Sequence, residues 1–215
     1  MQKSFFHGCR RLVAALAGAI LVVQVAACVD GQGFGFAPTR ITVAKGNVTI
    51  AGPSGYCIDT KASRVSAARA FVLLGSCASL SGTVGGQRPQ SPAILTATIS
   101  GSVPDEAAFA DNLPAMRRFL SSPVGRAALS RSGQASSVSI IEIETVGNVM
   151  YIHARDTAAA TGQNVEPDYW RAVTTAKGQI VTLSVLGLRD KPISSRGKRA
   201  LIEQFVARLR NVNGA

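Results

Sequence analysis

Apart from His7 near the start, the chain has one histidine, His153, and the residues facing it decide what proton chemistry is on offer. Residues 137–156 alternate apolar and polar around Gly147-Asn148, a two-residue hairpin turn of the II′ type. That turn predicts Glu142 opposite His153, Glu144 opposite Tyr151 and Ile140 opposite Arg155, with Ile143–Ile152 and Ile141–Ala154 on the other face. A carboxylate beside an imidazole orients the ring and raises its proton affinity, as a catalytic dyad needs. The same pair also reads as charge balance on a polar sheet face. Tyr151 and Ser184 are the nearest nucleophiles, and neither sits in a Gly-x-Ser-x-Gly elbow. Glu142 and Glu144 share a face at a spacing open to glycosidase geometry, but Tyr151, His153 and Arg155 neutralise them. His153, Glu142 and Tyr151 are therefore the candidate catalytic residues, and they do not complete a known constellation. The chain has no Cys-x-x-Cys, zinc-protease or phosphate-loop motif, so no metal or cofactor is expected.

The elements that must position these residues follow from pattern. Ile41–Ala51 reads as two short strands around Lys45-Gly46-Asn47, and Thr60–Arg69 as a loop or short helix. Phe71–Cys77 is a continuous apolar run suited to the sheet centre, and Leu80–Pro92 a loop before a strand at Ala93–Ser100. Ser102 and Pro104 open a helical section, Pro114 interrupts it, and Ser122-Pro123 starts it again. A second hairpin, Asp168–Leu188, turns near Lys177-Gly178 and places Trp170, Ala172, Val181, Leu183 and Val185 on one face. The chain closes with a helix capped by Ser194 or Ser195, whose Leu201, Ile202, Phe205 and Leu209 form an apolar stripe. Its first turns carry Arg196, Lys198 and Arg199, where the helix dipole disfavours positive charge. With Arg155 these are candidate anion-binding residues, or a solvated helix face. The predicted class is α+β: a mainly antiparallel sheet, mid-chain helices and a C-terminal amphipathic helix packed on it. This order of elements resembles the PsbP-like fold, which implies an accessory or assembly role and assigns no activity.

Residues 1–27 have Lys3, Arg10 and Arg11, then an apolar run from Leu12 to Val23, too short to span a bilayer comfortably. Val25-Ala26-Ala27-Cys28 resembles the lipobox of bacterial lipoproteins. The resemblance implies cleavage before Cys28, acylation of its thiol and new terminus, and a lipid bilayer as partner. With Cys9 removed and Cys28 acylated, Cys57 and Cys77 remain, as a disulfide or as two buried thiols. Residues 28–40 are a Gly-rich tether, and 41–215 a single domain. Val29, rather than Asp, follows Cys28, which by resemblance to lipoprotein sorting favours the outer membrane, with the domain facing the periplasm.

Removal of Lys3, Arg10 and Arg11 leaves 20 basic residues against 12 acidic, a net +8. Positive charge held near a bilayer selects an anionic envelope component or an acidic protein face. No nucleic-acid motif accompanies it. The sequence thus predicts an envelope lipoprotein with a basic, non-catalytic binding or assembly domain. Its alternative is a small-ligand receptor or hydrolase using the polar face around His153.

Overall fold

The computed structural model describes residues 36–44, 47–67, 69–82, 86–158 and 164–214. The signal, Cys28, most of the tether and the Lys45-Gly46 turn lie outside these residues. The strands are β1 (Arg40–Val43), β2 (Val48–Ala51), β3 (Tyr56–Val65), β4 (Ala70–Ser76), β5 (Ala93–Ser102), β6 (Val138–Val146), β7 (Val149–Asp156), β8 (Val165–Ala176) and β9 (Gln179–Leu188). The helices are α1 (Cys77–Ser81), α2 (Glu106–Ser121), α3 (Pro123–Leu129) and α4 (Ser195–Asn213). β1 and β2 form their own two-stranded sheet, and the other seven strands run β3-β4-β5-β9-β8-β7-β6 with every neighbour antiparallel. The class is α+β, with α4 packed on the sheet as the sequence predicts.

Alternation along the strands makes two cores. Val72, Leu74, Leu95, Ala97, Trp170, Ala172, Val181, Leu183 and Val185 point to one face and meet Leu201, Ile202, Phe205 and Leu209 of α4. The β1–β2 hairpin adds Val43, Val48 and Ile50 to that layer. Asn213 fastens the far end of α4 to the hairpin: Thr49 N–H donates to its Oδ1 at 2.9 Å, and its Nδ2 donates to the Thr49 carbonyl at 2.8 Å. On the opposite face Phe109, Leu113 and Leu120 of α2 and Leu129 of α3 cover Val138, Ile143, Met150, Ile152, Tyr169 and Val173.

Several sequence expectations give way to tertiary structure. Thr60–Val65 is neither helix nor free loop, because β3 continues to Val65 through a bulge between Asp59 and Arg64, whereas Ser66, Ala67 and Arg69 lie outside any strand. Asp59 Oδ1 accepts from Lys61 and Ala62 N–H at 3.0 and 2.9 Å, and Leu73 N–H is satisfied by Ser63 Oγ. An Asx turn inside a strand looks like a loop in sequence. The apolar run after Ala70 is next to the edge rather than central, and Cys77 already belongs to α1. The Cys57–Cys77 disulfide is present and joins edge strand β3 to the start of α1. Asp105, not Ser102, caps α2, its side chain accepting from Ala108 N–H at 2.7 Å. α2 also runs unbroken through Pro114. An interior proline costs a helix about 3 kcal/mol, and burial of Phe109, Leu113 and Leu120, at roughly 1.5–3 kcal/mol for each large side chain, offsets it. Ser122 caps α3 and Ser194 caps α4, by accepting from Gly125 and Gly197 N–H.

Candidate functional site

The β6–β7 hairpin keeps its predicted register near the turn, where Gly147 takes the positive φ of 58° and Glu142 pairs with His153 and Glu144 with Tyr151. Farther from the turn a bulge between Ile140 and Glu142 shifts the pairing to Ile140–Ala154 and Ser139–Arg155. Ile141 is extruded and 57% exposed instead of packing on Ala154. The face carrying His153 is not open: β8 supplies Trp170 beside it, and the first turn of α4 lies across it.

His153 finds its carboxylate on β8 rather than β6. Its Nε2 is 2.5 Å from Asp168 Oδ1, while Glu142 is exposed. The imidazole stacks on Trp170 at 4.6 Å with 8° between the planes. Asp168 Oδ2 accepts from Lys198 Nζ at 2.7 Å, and the Asp168 carbonyl accepts from the same ammonium at 3.1 Å. Glu166 Oε2 lies 2.9 Å from Nζ as an ion pair, although it is buried and off the line of a hydrogen bond. The Lys198 side chain is 2% exposed, so its charge is spent on these two carboxylates. Burial alone would raise the Asp168 pKa. Hydrogen bonds and charge from Lys198 and His153 outweigh it and hold the carboxyl below its ordinary 3.8.

Local sequence explains how β8 presents two acids on one face. Pro167 has no N–H for the ladder, and the β8–β9 register slips between Val165 and Tyr169. Glu166, Asp168 and Trp170 then project side by side toward α4. Gly187 on β9 is the seat beneath them: a Cβ there would stand 1.8 Å from Glu166 Oε2.

Arg199, one residue on, closes the other side. It bonds Glu144 at 2.7 Å and Glu203 at 2.6 Å, and its guanidinium lies 4.2 Å from the Tyr151 ring centre and 4.9 Å from that of Trp170. Burial would lower its pKa, but the bonds to Glu203 and Glu144 raise it instead. Burial, reinforced by Glu203, pushes the Tyr151 phenol up, away from use as a nucleophile at neutral pH. Of the four cations proposed from sequence for anions, Lys198 and Arg199 are thus occupied by carboxylates, whereas Arg155 and Arg196 are exposed. Cys28 lies outside the described residues.

A serine also reaches the histidine. Ser195 Oγ is 3.3 Å from His153 Nε2 and accepts from Trp170 Nε1 at 3.3 Å. Ser195, His153 and Asp168 nevertheless do not make a hydrolytic triad. In a triad the serine and the carboxylate use opposite ring nitrogens. Here both meet Nε2. An ionised carboxylate only accepts, so the Nε2 proton points at Asp168 and that nitrogen has no lone pair for the Ser195 hydroxyl. The geometry locks α4 to the sheet, with His153 as the inner brace.

Among the described residues no group of three His, Cys, Asp or Glu side chains is placed to hold a metal ion. The sequence reading missed Glu166, Asp168 and Ser195. The i, i+2, i+4 spacing of Glu166, Asp168 and Trp170 was the available signal, but their meeting with His153 depends on β7 pairing with β8. No protein-family model matches this chain, and no curated protein is recognisably similar to it in sequence.

Proposed function

We propose that this chain is a membrane-anchored envelope lipoprotein whose domain binds an anionic partner by surface charge, without a chemical step. The observation that carries this reading is how the acids are used. Lys198 and Arg199 take four carboxylates between them: Asp168, Glu166, Glu144 and Glu203. That cluster is net −2, four acids against two cations, so in the processed chain, at +8 without Lys3, Arg10 and Arg11, everything outside it carries +10. A positive field so little compensated attracts anions within roughly one Debye length, about 8 Å at physiological salt. The tether after Cys28 would keep it near headgroups, with the outer membrane favoured. Because Ser195 meets the same ring nitrogen of His153 as Asp168, the hydrolase alternative has no serine on the nitrogen that would act as base.

The test is fractionation of envelopes in graded salt, comparing the native protein with Cys28→Ser. Native protein should stay with membranes at all salt concentrations and show the mass of acylated Cys28. The Cys28→Ser protein should bind envelopes at low salt and leave at high salt. Failure of the variant to bind at low salt overturns the anionic-partner reading, and an unmodified Cys28 thiol in native protein overturns the anchor.

A further inference from the structure

The sheet face turned away from α4 holds a second group of cations, with a different arrangement. Tyr169 and Arg171 of β8, Ser184 and Leu186 of β9, and Thr96 of β5 meet Leu129 and Arg131 at the end of α3. They line a cavity of about 160 Å³. At roughly 30 Å³ per water that is room for about five waters, or one small polyatomic group. It is well below the roughly 300–1,000 Å³ of pockets for drug-sized ligands.

Arginines gather at the cavity, and no carboxylate among the described residues is paired to them. The guanidinium carbons of Arg131 and Arg171 lie 5.8 and 5.4 Å from the centre of the same Tyr169 ring. Arg131 Nη2 donates to the Glu166 carbonyl at 3.1 Å, while its Nη1 is buried with no acceptor. Arg171 Nε donates to Ser184 Oγ at 3.2 Å. Arg189, whose Nε holds the Val165 carbonyl at 2.9 Å, adds a third positive charge bearing on Arg131. The carboxylate acting on Arg131 is Asp156, which is fully buried and accepts from the backbone N–H groups of Arg131 and Ala158 rather than from the guanidinium. Among the described residues none of these three arginines has an ion pair with a carboxylate.

Like charges gathered around one cavity repel, and one anion seated among them offsets that repulsion. We infer that this cavity is a binding site for a single phosphate-type oxyanion, held by the guanidinium groups of Arg131 and Arg171 with Thr96 and Ser184 as hydroxyl partners. Guanidinium forks suit such oxygens. Donors that come from β5, β8, β9 and the end of α3 surround a tetrahedral group better than a planar one.

The test uses the full chain in a non-ionic detergent, titrated with inorganic phosphate against chloride at constant ionic strength. Calorimetry should show one saturable site, and a hundredfold excess over Kd should raise Tm by roughly 5–10 °C. Arg171→Gln should weaken phosphate binding at least tenfold, whereas Lys61→Gln on the exposed edge of β3 should leave it unchanged. Arg171→Lys, which keeps the charge without the fork, should fall between and serves if the glutamine variant does not fold. A phosphate response no larger than that of chloride overturns the site, as does equal binding by wild type and both Arg171 variants. Equal weakening by Lys61→Gln overturns it in favour of diffuse charge. Vesicles of phosphatidate in neutral lipid identify the source. Displacement of bound phosphate assigns a lipid headgroup, and retention of it assigns a free phosphate.

Discussion

Replacing Lys198 with Met keeps an unbranched apolar stem and removes the ammonium with its hydrogen bonds. The ammonium is 2% exposed and holds Asp168 at 2.7 Å and Glu166 at 2.9 Å, whose side chains are 21% and 20% exposed. Without it two carboxylates are left facing each other beneath α4. Stripping one partner from a fully buried pair costs about 3–5 kcal/mol, and the residual exposure of both acids lowers this to roughly 2–4 kcal/mol. For a domain of this size that is a fall in Tm of about 5–15 °C. Urea denaturation of Lys198→Met, Asp168→Asn and the double variant measures it. Asparagine removes one of the stranded charges, so the double variant should be more stable than the sum of the single losses predicts.

The acid limb gives a second readout of the same variant. The folded Asp168 pKa is depressed, so its contribution to stability is present above the unfolded value of about 3.8 and is lost as pH falls through the folded value. Lys198→Met removes the largest depressing influence, and the fall in stability below pH 3.8 should become shallower. A loss under about 1 kcal/mol with an unchanged acid limb would refute the inward-braced reading of this cluster.

Further consequences follow from close approaches and the cross-link. Gly125→Ala places a Cβ 2.0 Å from the Phe119 carbonyl, so the α2–α3 corner must open at about 1–3 kcal/mol, read by chemical denaturation. Gly187→Ala should cost a similar roughly 1–3 kcal/mol by driving Glu166 off its seat, and far less in a Glu166→Ala background. Reduction of the Cys57–Cys77 bond, which spans 20 residues, should cost about 3 kcal/mol, seen as a lower urea midpoint with dithiothreitol.

Much of the fold was legible wherever a period and a turn agreed. Gly147 and Gly178 mark both long hairpins, and the stripe from Leu201 to Leu209 fixes the buried face of α4. Legibility failed where a strand contains its own turn, as at Asp59–Ser63, and where burial overrides a local rule, as at Pro114. The site was half visible. Glu142 does oppose His153, yet the functional neighbour of the ring comes from the next strand over, and a strand order cannot be read from alternation. Lys198 was legible as a cation too near a helix start. Its partners were not, because the bulge at Pro167 sets them and nothing local announces which helix they face.

The central claim is that surplus positive charge, not the cluster under α4, is what this domain offers a partner. Flotation of the Cys28→Ser protein with vesicles of mixed anionic and neutral lipid, across a salt series, tests it most directly. The account predicts binding at low salt that falls progressively as salt rises, is absent on neutral vesicles, and is unchanged in Ser195→Ala. Binding that ignores salt, or none at low salt, contradicts it.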